Sequence, residues 1–298
     1  MNIDNPIIFF GTEDFSAVSL QRLIDDKFNI VGIVTKPDSK KGRGQKISMP
    51  KVKEIGIANN IEVLQPNRLK EIIPFVTKFN KPTGVLVSYG KIIPQSIIDL
   101  FNPGIINVHP SLLPLYRGPS PIESTILNGD TVTGVSIMLL SKEMDAGPVY
   151  LQEKITLSGT ETSTYLYNLC GKIGSEMLAK ALPKIIKGEL EPINQCDDRA
   201  SYCNLLTKED SIINPDNITS YQAERKIRAL EIYPKSKITI CDNTIIIKKA
   251  SITTNPNSKE LSVKFKDNNY LVLEQLIAPN GKIMDGKAYK NGYINKMH

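Results

Sequence analysis

The sequence predicts an α/β protein, with a Rossmann-like, mostly parallel sheet in an N-terminal domain and a small C-terminal β-barrel (OB-like) domain. Three observations predict this class. Short apolar, β-branched runs recur in the first half of the chain, separated by segments long enough for crossover helices. From about Lys237 onward, short apolar runs alternate with Asn, Pro and Gly. The 298 residues also suffice for two cores. We therefore predict domains spanning 1–206 and 207–298.

Four apolar runs in the first domain predict buried parallel strands. They are "IIFFG" at 7–11, "IVGIV" at 30–34, "GVLVSYG" at 84–90 and "GIINVH" at 104–109. The stretch after the first run places its apolar side chains at helical spacing from Phe15 to Ile24, so a helix is expected there. Strand then helix then strand is the order expected of a doubly wound sheet.

The segments after residue 130 predict two strands and two helices before the β-rich part of the chain. The runs at 134–140 and 149–155 predict a hairpin-connected pair of strands, and 162–186 predicts a long helix. The stretch "TSYQAERKIRALEI" at 219–232 predicts a helix that leads into the β-rich domain. The second domain therefore begins with a helix and continues as short strands.

Composition excludes several classes of protein. The apolar fraction is 41% and the charged fraction 23%, which are ordinary values for a globular chain rather than a disordered one. The four cysteines form no CxxC pair and have no histidines at ligand spacing, so neither a zinc site nor a disulfide framework is expected. The N-terminus carries acidic residues and only a short apolar run, unlike a signal peptide or a membrane span. We expect a cytoplasmic protein with no membrane partner.

Positive charge is concentrated in two places. Residues 1–206 hold 22 Lys and Arg against 21 Asp and Glu, whereas residues 207–298 hold 15 against 10. Within the first domain, "KPDSKKGRGQKISMPKVK" at 36–53 holds seven basic residues and one acidic residue. Either region alone could be a solvated surface, but together they indicate a polyanionic partner.

The first strand-to-helix turn does not favour a dinucleotide. Gly11 is followed by "TEDFSAV", which lacks the second and third glycines that let a pyrophosphate approach the backbone. A nicotinamide or flavin site is therefore not expected, although the fold resembles one that often carries it.

A candidate site follows the strand at 104–109. Ligands bind outside the carboxyl ends of the strands in open parallel sheets. Asn107 and His109 lie two residues apart near such an end, so both side chains point to the same face. A proline-stiffened loop follows directly, and Asp145 in "KEMDAGPVY" could reach the histidine. The alternative is a hydrogen-bonded pair in the core.

A longer motif carries a family resemblance. The run "NVHPSLLPLYRGPSPIESTILNGDTVTGVSIMLLSKEMDAGPVY" resembles the folate-dependent formyltransferases, most densely over residues 85–155. A looser similarity includes "FFGTEDFS", "TKPDSKKGRGQKISMPKVKEIG" and "KIRALEIYPKS" and so extends over nearly the whole chain. The chain departs from the family pattern at Glu13, where proline is usual, and at Tyr233, where tryptophan is usual.

The resemblance implies a reaction and a catalytic trio. The donor would be 10-formyltetrahydrofolate, and the acceptor the α-amino group of methionine esterified to initiator tRNA. Asn107 and a protonated His109 could donate hydrogen bonds to the negative charge that develops on the formyl oxygen. Asp145 could orient His109 or order a water that moves a proton. Whether His109 acts as base, acid or hydrogen-bond donor stays open.

The resemblance also implies the binding residues. The loops expected to surround the folate contain Ser88, Tyr89, Gly90, Lys91, Ile92, Ser111, Leu112, Leu113 and Pro114. The residues expected to contact tRNA are Lys40, Lys41, Arg43 and Lys46. The reaction needs no metal, and a monomer is expected.

Two rival functions are weighed against this one. A related formyltransferase could act on a nucleotide sugar or on glycinamide ribonucleotide, but the C-terminal module and the basic segments favour a polyanionic acceptor. A non-catalytic RNA-binding protein could keep the same fold. That alternative would not require Asn107, His109 and Asp145 together.

Overall fold

The computed structural model describes residues 4–41 and 46–294. Backbone proximity divides the chain into two compact units. The first consists of Met1–Pro119, Val132–Ile155 and Tyr167–Cys203, and the second of Ser120–Thr131, Thr156–Leu166 and Asn204–His298. The domain boundary between residues 206 and 207 stays a prediction.

Nine strands precede residue 160 of the chain, within the described residues. They are β1 (Ile7–Gly11), β2 (Ile30–Val34), β3 (Ser39–Lys41), β4 (Lys46–Ser48), β5 (Glu62–Leu64), β6 (Thr83–Val87), β7 (Ile105–His109), β8 (Val132–Leu139) and β9 (Val149–Thr156). The helices up to residue 186 are α1 (Asp14–Asp25), α2 (Lys51–Ala58), α3 (Ile73–Val76), α4 (Gln95–Ile98), α5 (Pro121–Asn128) and α6 (Ser163–Ile186). The four strands, the hairpin pair and the long helix predicted for this region are all present.

The first unit contains a seven-stranded sheet in the order β5-β2-β1-β6-β7-β8-β9. The pairings from β5 to β7 are parallel, and β7 pairs with β8 antiparallel. Residues Ile7 to Phe10 of β1 are fully buried, as expected of a central strand that is covered on both faces. The predicted Rossmann-like class is confirmed.

Strand alternation decides which face carries the polar residues of β7. A β-carbon at Gly174 of α6 would meet the side chain of Val108, so α6 packs closely against the Val108 face of β7. Side chains alternate along a strand, which places Asn107 and His109 on the opposite face. The polar pair therefore points away from the long helix.

The second unit is built on a five-stranded antiparallel sheet. Its elements are α7 (Ser220–Ala229), β10 (Lys237–Ile240), β11 (Asn243–Thr253), β12 (Ser262–Lys264), β13 (Tyr270–Ile277), β14 (Ile283–Asp285) and α8 (Gly286–Tyr289). The central strand β13 pairs with β11, β12 and β14. The predicted small β domain after residue 237 is thus confirmed.

Helix α7 begins where its sequence predicts. Thr219 accepts a hydrogen bond from the Gln222 backbone at 3.1 Å, and the Gln222 side chain accepts one from the Thr219 backbone at 2.9 Å. This reciprocal cap satisfies two of the amides that a helix start leaves unpaired. The guanidinium of Arg225 donates to the Asn128 carbonyl at 3.2 Å, which connects α7 to α5 within the second unit.

Among the described residues, no helix is long and apolar enough to cross a membrane.

Candidate active site

The candidate site lies where β1, β6 and β7 end, because the carboxyl ends of parallel strands meet at one edge of a sheet. The loops after β1 and β6 are joined there. The backbone amide of Thr12 donates to the Ser88 carbonyl at 3.2 Å, and the Thr12 hydroxyl donates to the Tyr89 carbonyl at 3.0 Å. The position of the loop after β6 is therefore set by the end of β1.

Asn107, His109 and Asp145 come together at this edge. Asn107 is 5% exposed and His109 is 4% exposed. The side-chain amide of Asn107 donates to Asp145 Oδ1 at 3.4 Å, and His109 Nδ1 lies 3.7 Å from Asp145 Oδ2. The structure therefore brings the three predicted catalytic residues into one cluster, although they come from positions 38 residues apart.

The hydrogen bonds of His109 define its tautomer. Nε2 lies 2.9 Å from the carbonyl oxygen of Tyr116. A carbonyl only accepts hydrogen bonds, so Nε2 carries the hydrogen. In the neutral ring Nδ1 is then a bare acceptor that faces Asp145.

Asp145 is held by its backbone and by its carboxylate. The amide of Gly118 donates to Asp145 Oδ2 at 2.9 Å. The backbone of Asp145 is left-handed, with φ of 51°. Ser88 and Tyr116 in the two neighbouring loops are also left-handed, with φ of 46° and 58°. Non-glycine residues rarely adopt this conformation, and such residues are concentrated at functional sites.

The loop after β6 presents mainly backbone and exposed side chains. Ile92 is 79% exposed, whereas the ring of Tyr89 is buried in the core against Phe10. Burial raises the pKa of the Tyr89 hydroxyl to about 12, so it stays a neutral phenol near neutral pH. Gly90 has φ of +71°, and the Lys36 ammonium fills the space that a β-carbon there would need. A planar ligand could lie against the backbone of this loop, as predicted for folate.

The second predicted folate loop, residues 111–114, is held by hydrogen bonds from β8 and β9. The hydroxyl of Ser136 donates to the Ser111 carbonyl at 2.6 Å and accepts from the Leu113 amide at 3.2 Å. The Gln152 side chain donates to the Leu113 carbonyl at 2.8 Å. Ser111 and Leu113 are buried, and Leu112 and Pro114 are half-buried. The loop is therefore held by hydrogen bonds at its base.

The predicted tRNA-binding loop is described only in part. Its ends form a short hairpin of β3 and β4. At its base the Lys53 ammonium donates to the Asp38 carboxylate at 2.8 Å and to Gln65 at 2.7 Å. Lys40 is exposed. Arg43, on which the sequence places the most weight, lies outside the described residues.

Several residues at the site were not predicted from the sequence. Arg117 is 2% exposed, and its guanidinium donates to Gln195 at 3.0 Å and to Asp197 at 2.7 Å. Gln195 in turn contacts the loop of Asp145. Ser136 fixes the loop after β7, as described above. Arg117 lies within the quoted run that resembles the formyltransferases, but nothing in the sequence pairs it with a glutamine 78 residues away.

Over residues 4–41 and 46–294, no group of three or more His, Cys, Asp or Glu side chains is arranged to hold a metal ion. None of the four cysteines forms a disulfide, and Cys170 and Cys203 are buried.

The chain resembles known formyltransferases over both units. Residues 5–182 match the family model "Formyl transferase", and residues 205–294 match "Formyl transferase, C-terminal domain". The methionyl-tRNA formyltransferase of Dictyoglomus thermophilum is 38% identical over 304 residues, covering 96% of each chain. That of Borreliella burgdorferi is 36% identical over 299 residues, covering 96% of this chain and 95% of the relative. The resemblance inferred from the motifs is confirmed.

Solved structures share the fold at lower identity. An N-formyltransferase from Helicobacter canadensis, in complex with folinic acid and dTDP-3-aminofucose, has a TM-score of 0.69 at 18% identity, with 92% of this chain and 99% of that chain covered. The sugar 3N-formyltransferase WlaRD has a TM-score of 0.66 at 21% identity, with 90% and 96% covered. At these identities the likeness concerns the fold alone.

Proposed function

Because the chain belongs to the formyl transferase family, we propose that it transfers the formyl group of 10-formyltetrahydrofolate to the α-amino group of methionine on initiator tRNA. The product is N-formylmethionyl-tRNA, which serves translation initiation. Relatives that carry the name methionyl-tRNA formyltransferase are 34% to 38% identical to this chain, and several span 96% of it. The two sugar formyltransferase structures are only 18% and 21% identical to the chain, so the identities favour a tRNA acceptor over a nucleotide sugar. The C-terminal match at 205–294 argues against glycinamide ribonucleotide.

One observation carries the proposed chemistry: the buried contact of Asn107, His109 and Asp145 at the carboxyl end of β7. A neutral histidine that only served the core would pair one ring nitrogen with an acceptor and the other with a donor. This histidine has a carbonyl at Nε2 and a carboxylate beside Nδ1. Such an arrangement supports proton handling beside a group that can hold an oxyanion.

The residues have distinct roles in this proposal. The second N–H of Asn107 donates to the formyl oxygen as negative charge builds on it, and loss of one such donor typically costs about 3–4 kcal/mol of transition-state stabilisation. His109 takes up or passes on a proton at Nδ1, and Asp145 stabilises the resulting positive charge. The bound folate supplies an activated formyl group and a nitrogen leaving group. The loops Ser88–Ile92 and Ser111–Pro114 hold the pterin.

The partner surfaces are part of the same proposal. Four basic residues from the segment that includes β3 and β4 contact tRNA phosphates: Lys40, Lys41, Arg43 and Lys46. The 207–298 domain, with its excess of basic residues, provides a second positive surface for the tRNA. The protein acts as a cytoplasmic monomer.

The test compares acceptors at equal concentration. Labelled formyl transfer from 10-formyltetrahydrofolate is measured with methionyl initiator tRNA, methionyl elongator tRNA, a dTDP-linked amino sugar and glycinamide ribonucleotide. We expect transfer to initiator methionyl-tRNA to exceed transfer to every other acceptor by at least tenfold. Equal transfer to the two tRNAs would contradict initiator specificity, and preference for the amino sugar would contradict the tRNA function.

A further inference from the structure

Gln195 connects a buried arginine to the loop that carries Asp145. The Arg117 Nε–H donates to Gln195 Oε1 at 3.0 Å. On the other side, Gln195 Nε2 donates to the carbonyl oxygens of Asp145 at 2.8 Å and Gly147 at 2.7 Å. The residue lies at 195, between the two family matches, which end at 182 and begin at 205.

The partners leave only one orientation for the Gln195 amide. Arg117 Nε is a donor only, so it must face the amide oxygen. The two carbonyls are acceptors only, so they must face the amide nitrogen. A flipped amide would place two donors together on one side and three oxygens together on the other. Each of the two amide hydrogens therefore has its own carbonyl partner.

Arg117 is itself fixed on several sides. Its NH2 donates to Asp197 at 2.7 Å, and its NH1 donates to the Tyr202 hydroxyl at 3.2 Å. Its backbone amide donates to the Ser201 carbonyl at 2.8 Å. The guanidinium is thus a rigid support for Gln195, and the segment 195–203 lies against the loop that follows β7.

The Asp145 loop needs such a support. Asp145 is left-handed, and its carboxylate reaches His109 at 3.7 Å and Asn107 at 3.4 Å, both long for direct hydrogen bonds. A backbone shift of a fraction of an ångström would close these contacts or break them. Gln195 bonds the carbonyls on both sides of Ala146, so it sets how far the loop extends toward His109.

We propose that Gln195 is a positioning residue for formyl transfer. It holds the backbone of Asp145 so that the Asp145 carboxylate faces His109 and Asn107. The inference rests on the proposed function. It assigns a role in the reaction to the segment that joins the two matched domains. Loss of the two donated bonds should leave the substrate-binding surfaces in place and disturb the reacting geometry. A misplacement of about 1 Å near a reacting group can cost about a hundredfold in rate.

The experiment uses full-length protein with two substitutions. Gln195→Met keeps the length and volume of the side chain and removes all its hydrogen bonds. Gln195→Glu keeps an oxygen for Arg117 and removes both donors to the loop. We expect each to lower kcat for initiator methionyl-tRNA by ten- to a hundredfold and to change KM less than threefold. Asn194→Ala, next to it and exposed, is the matched control and should keep wild-type kcat.

A double-mutant cycle separates positioning from general damage. If Gln195 acts through Asp145, then Gln195→Met should lower kcat less than twofold further in an Asp145→Asn background. Amide hydrogen exchange over residues 141–148 should be faster in Gln195→Met than in wild type, with other segments unchanged. The exchange measurement requires no turnover, so it separates failure of this inference from failure of the proposed function.

The opposite results would overturn the proposal. They are wild-type kcat in both Gln195 variants, additive losses in the cycle, or unchanged exchange over 141–148 in Gln195→Met.

Discussion

Replacing Asp145 by asparagine removes one charge and changes little in shape. Oδ2 accepts from the Gly118 amide, so the new side-chain oxygen should occupy that position. The new NH2 group then faces the NH2 group of Asn107, where the carboxylate oxygen accepted at 3.4 Å. The substitution therefore removes the charge beside His109 and places two donors against each other.

The size of the effect follows from the geometry. Unit charges 3.7 Å apart, the distance from His109 Nδ1 to Asp145 Oδ2, attract by about 4 kcal/mol at an effective dielectric constant near 20. The Asp145 side chain is 14% exposed, and solvent screening there reduces the net value to roughly 2–4 kcal/mol. At 1.36 kcal/mol per tenfold in rate, we expect kcat to fall roughly 30- to 1000-fold.

The assay is single-turnover formylation of initiator methionyl-tRNA, with the thermal unfolding midpoint measured in parallel. Glu143→Gln makes the same change of charge at an exposed position in the same loop, and it should stay within twofold of wild type. An Asp145→Asn enzyme with wild-type turnover would refute the assignment of this carboxylate. Equal losses in Asp145→Asn and Glu143→Gln would show that only the charge of the loop matters.

Three further predictions concern other parts of the chain. Burial raises the pKa of the Cys170 thiol to about 12, so iodoacetamide at pH 8 should label the exposed Cys196 and Cys241 first. Mass spectrometry that showed early labelling of Cys170 would contradict that burial. Arg43→Ala should weaken binding of methionyl-tRNA and leave folate affinity unchanged. The slope of log affinity against log salt concentration should fall by roughly 0.7 per lost phosphate contact. An unchanged slope in formylation kinetics would argue against tRNA contact. A β-carbon at Gly147 would clash with a backbone carbonyl oxygen, so Gly147→Ala should lower both the thermal unfolding midpoint and turnover. Wild-type values in both calorimetry and the formylation assay would refute this.

The sequence predicted those elements whose side chains repeat with a clear period. β1, β2, β6 and β7 are short apolar runs, and each lies within three residues of its predicted bounds. β3 and β4 were not predicted, because their sequences, "SKK" and "KIS", contain no apolar run. Helix α5 was not predicted either, and it lies against α7 within the second unit, a long-range contact that no local pattern reveals.

The candidate site was predictable in its reacting groups and not in its supports. Alternation along β7 places Asn107 and His109 on one face, and a loop with Asp145 follows the next strand, so their proximity could be argued from the sequence. The support by Gln195 depends on one hydrogen bond to a buried arginine and two to backbone carbonyls. Every residue has a backbone carbonyl, so the sequence does not indicate which carbonyls a side chain contacts. Such a contact is seen only in the three-dimensional structure.

The most direct measurement follows labelled formyl transfer from 10-formyltetrahydrofolate to initiator methionyl-tRNA in a single turnover, for wild type and His109→Ala side by side. Transfer by wild type should be fast, and the variant should be about a hundredfold slower or more, because the proton-handling ring is gone. Its unfolding midpoint should stay close to that of wild type. No transfer by wild type, or full transfer by a folded His109→Ala protein, would contradict formyl transfer at this cluster.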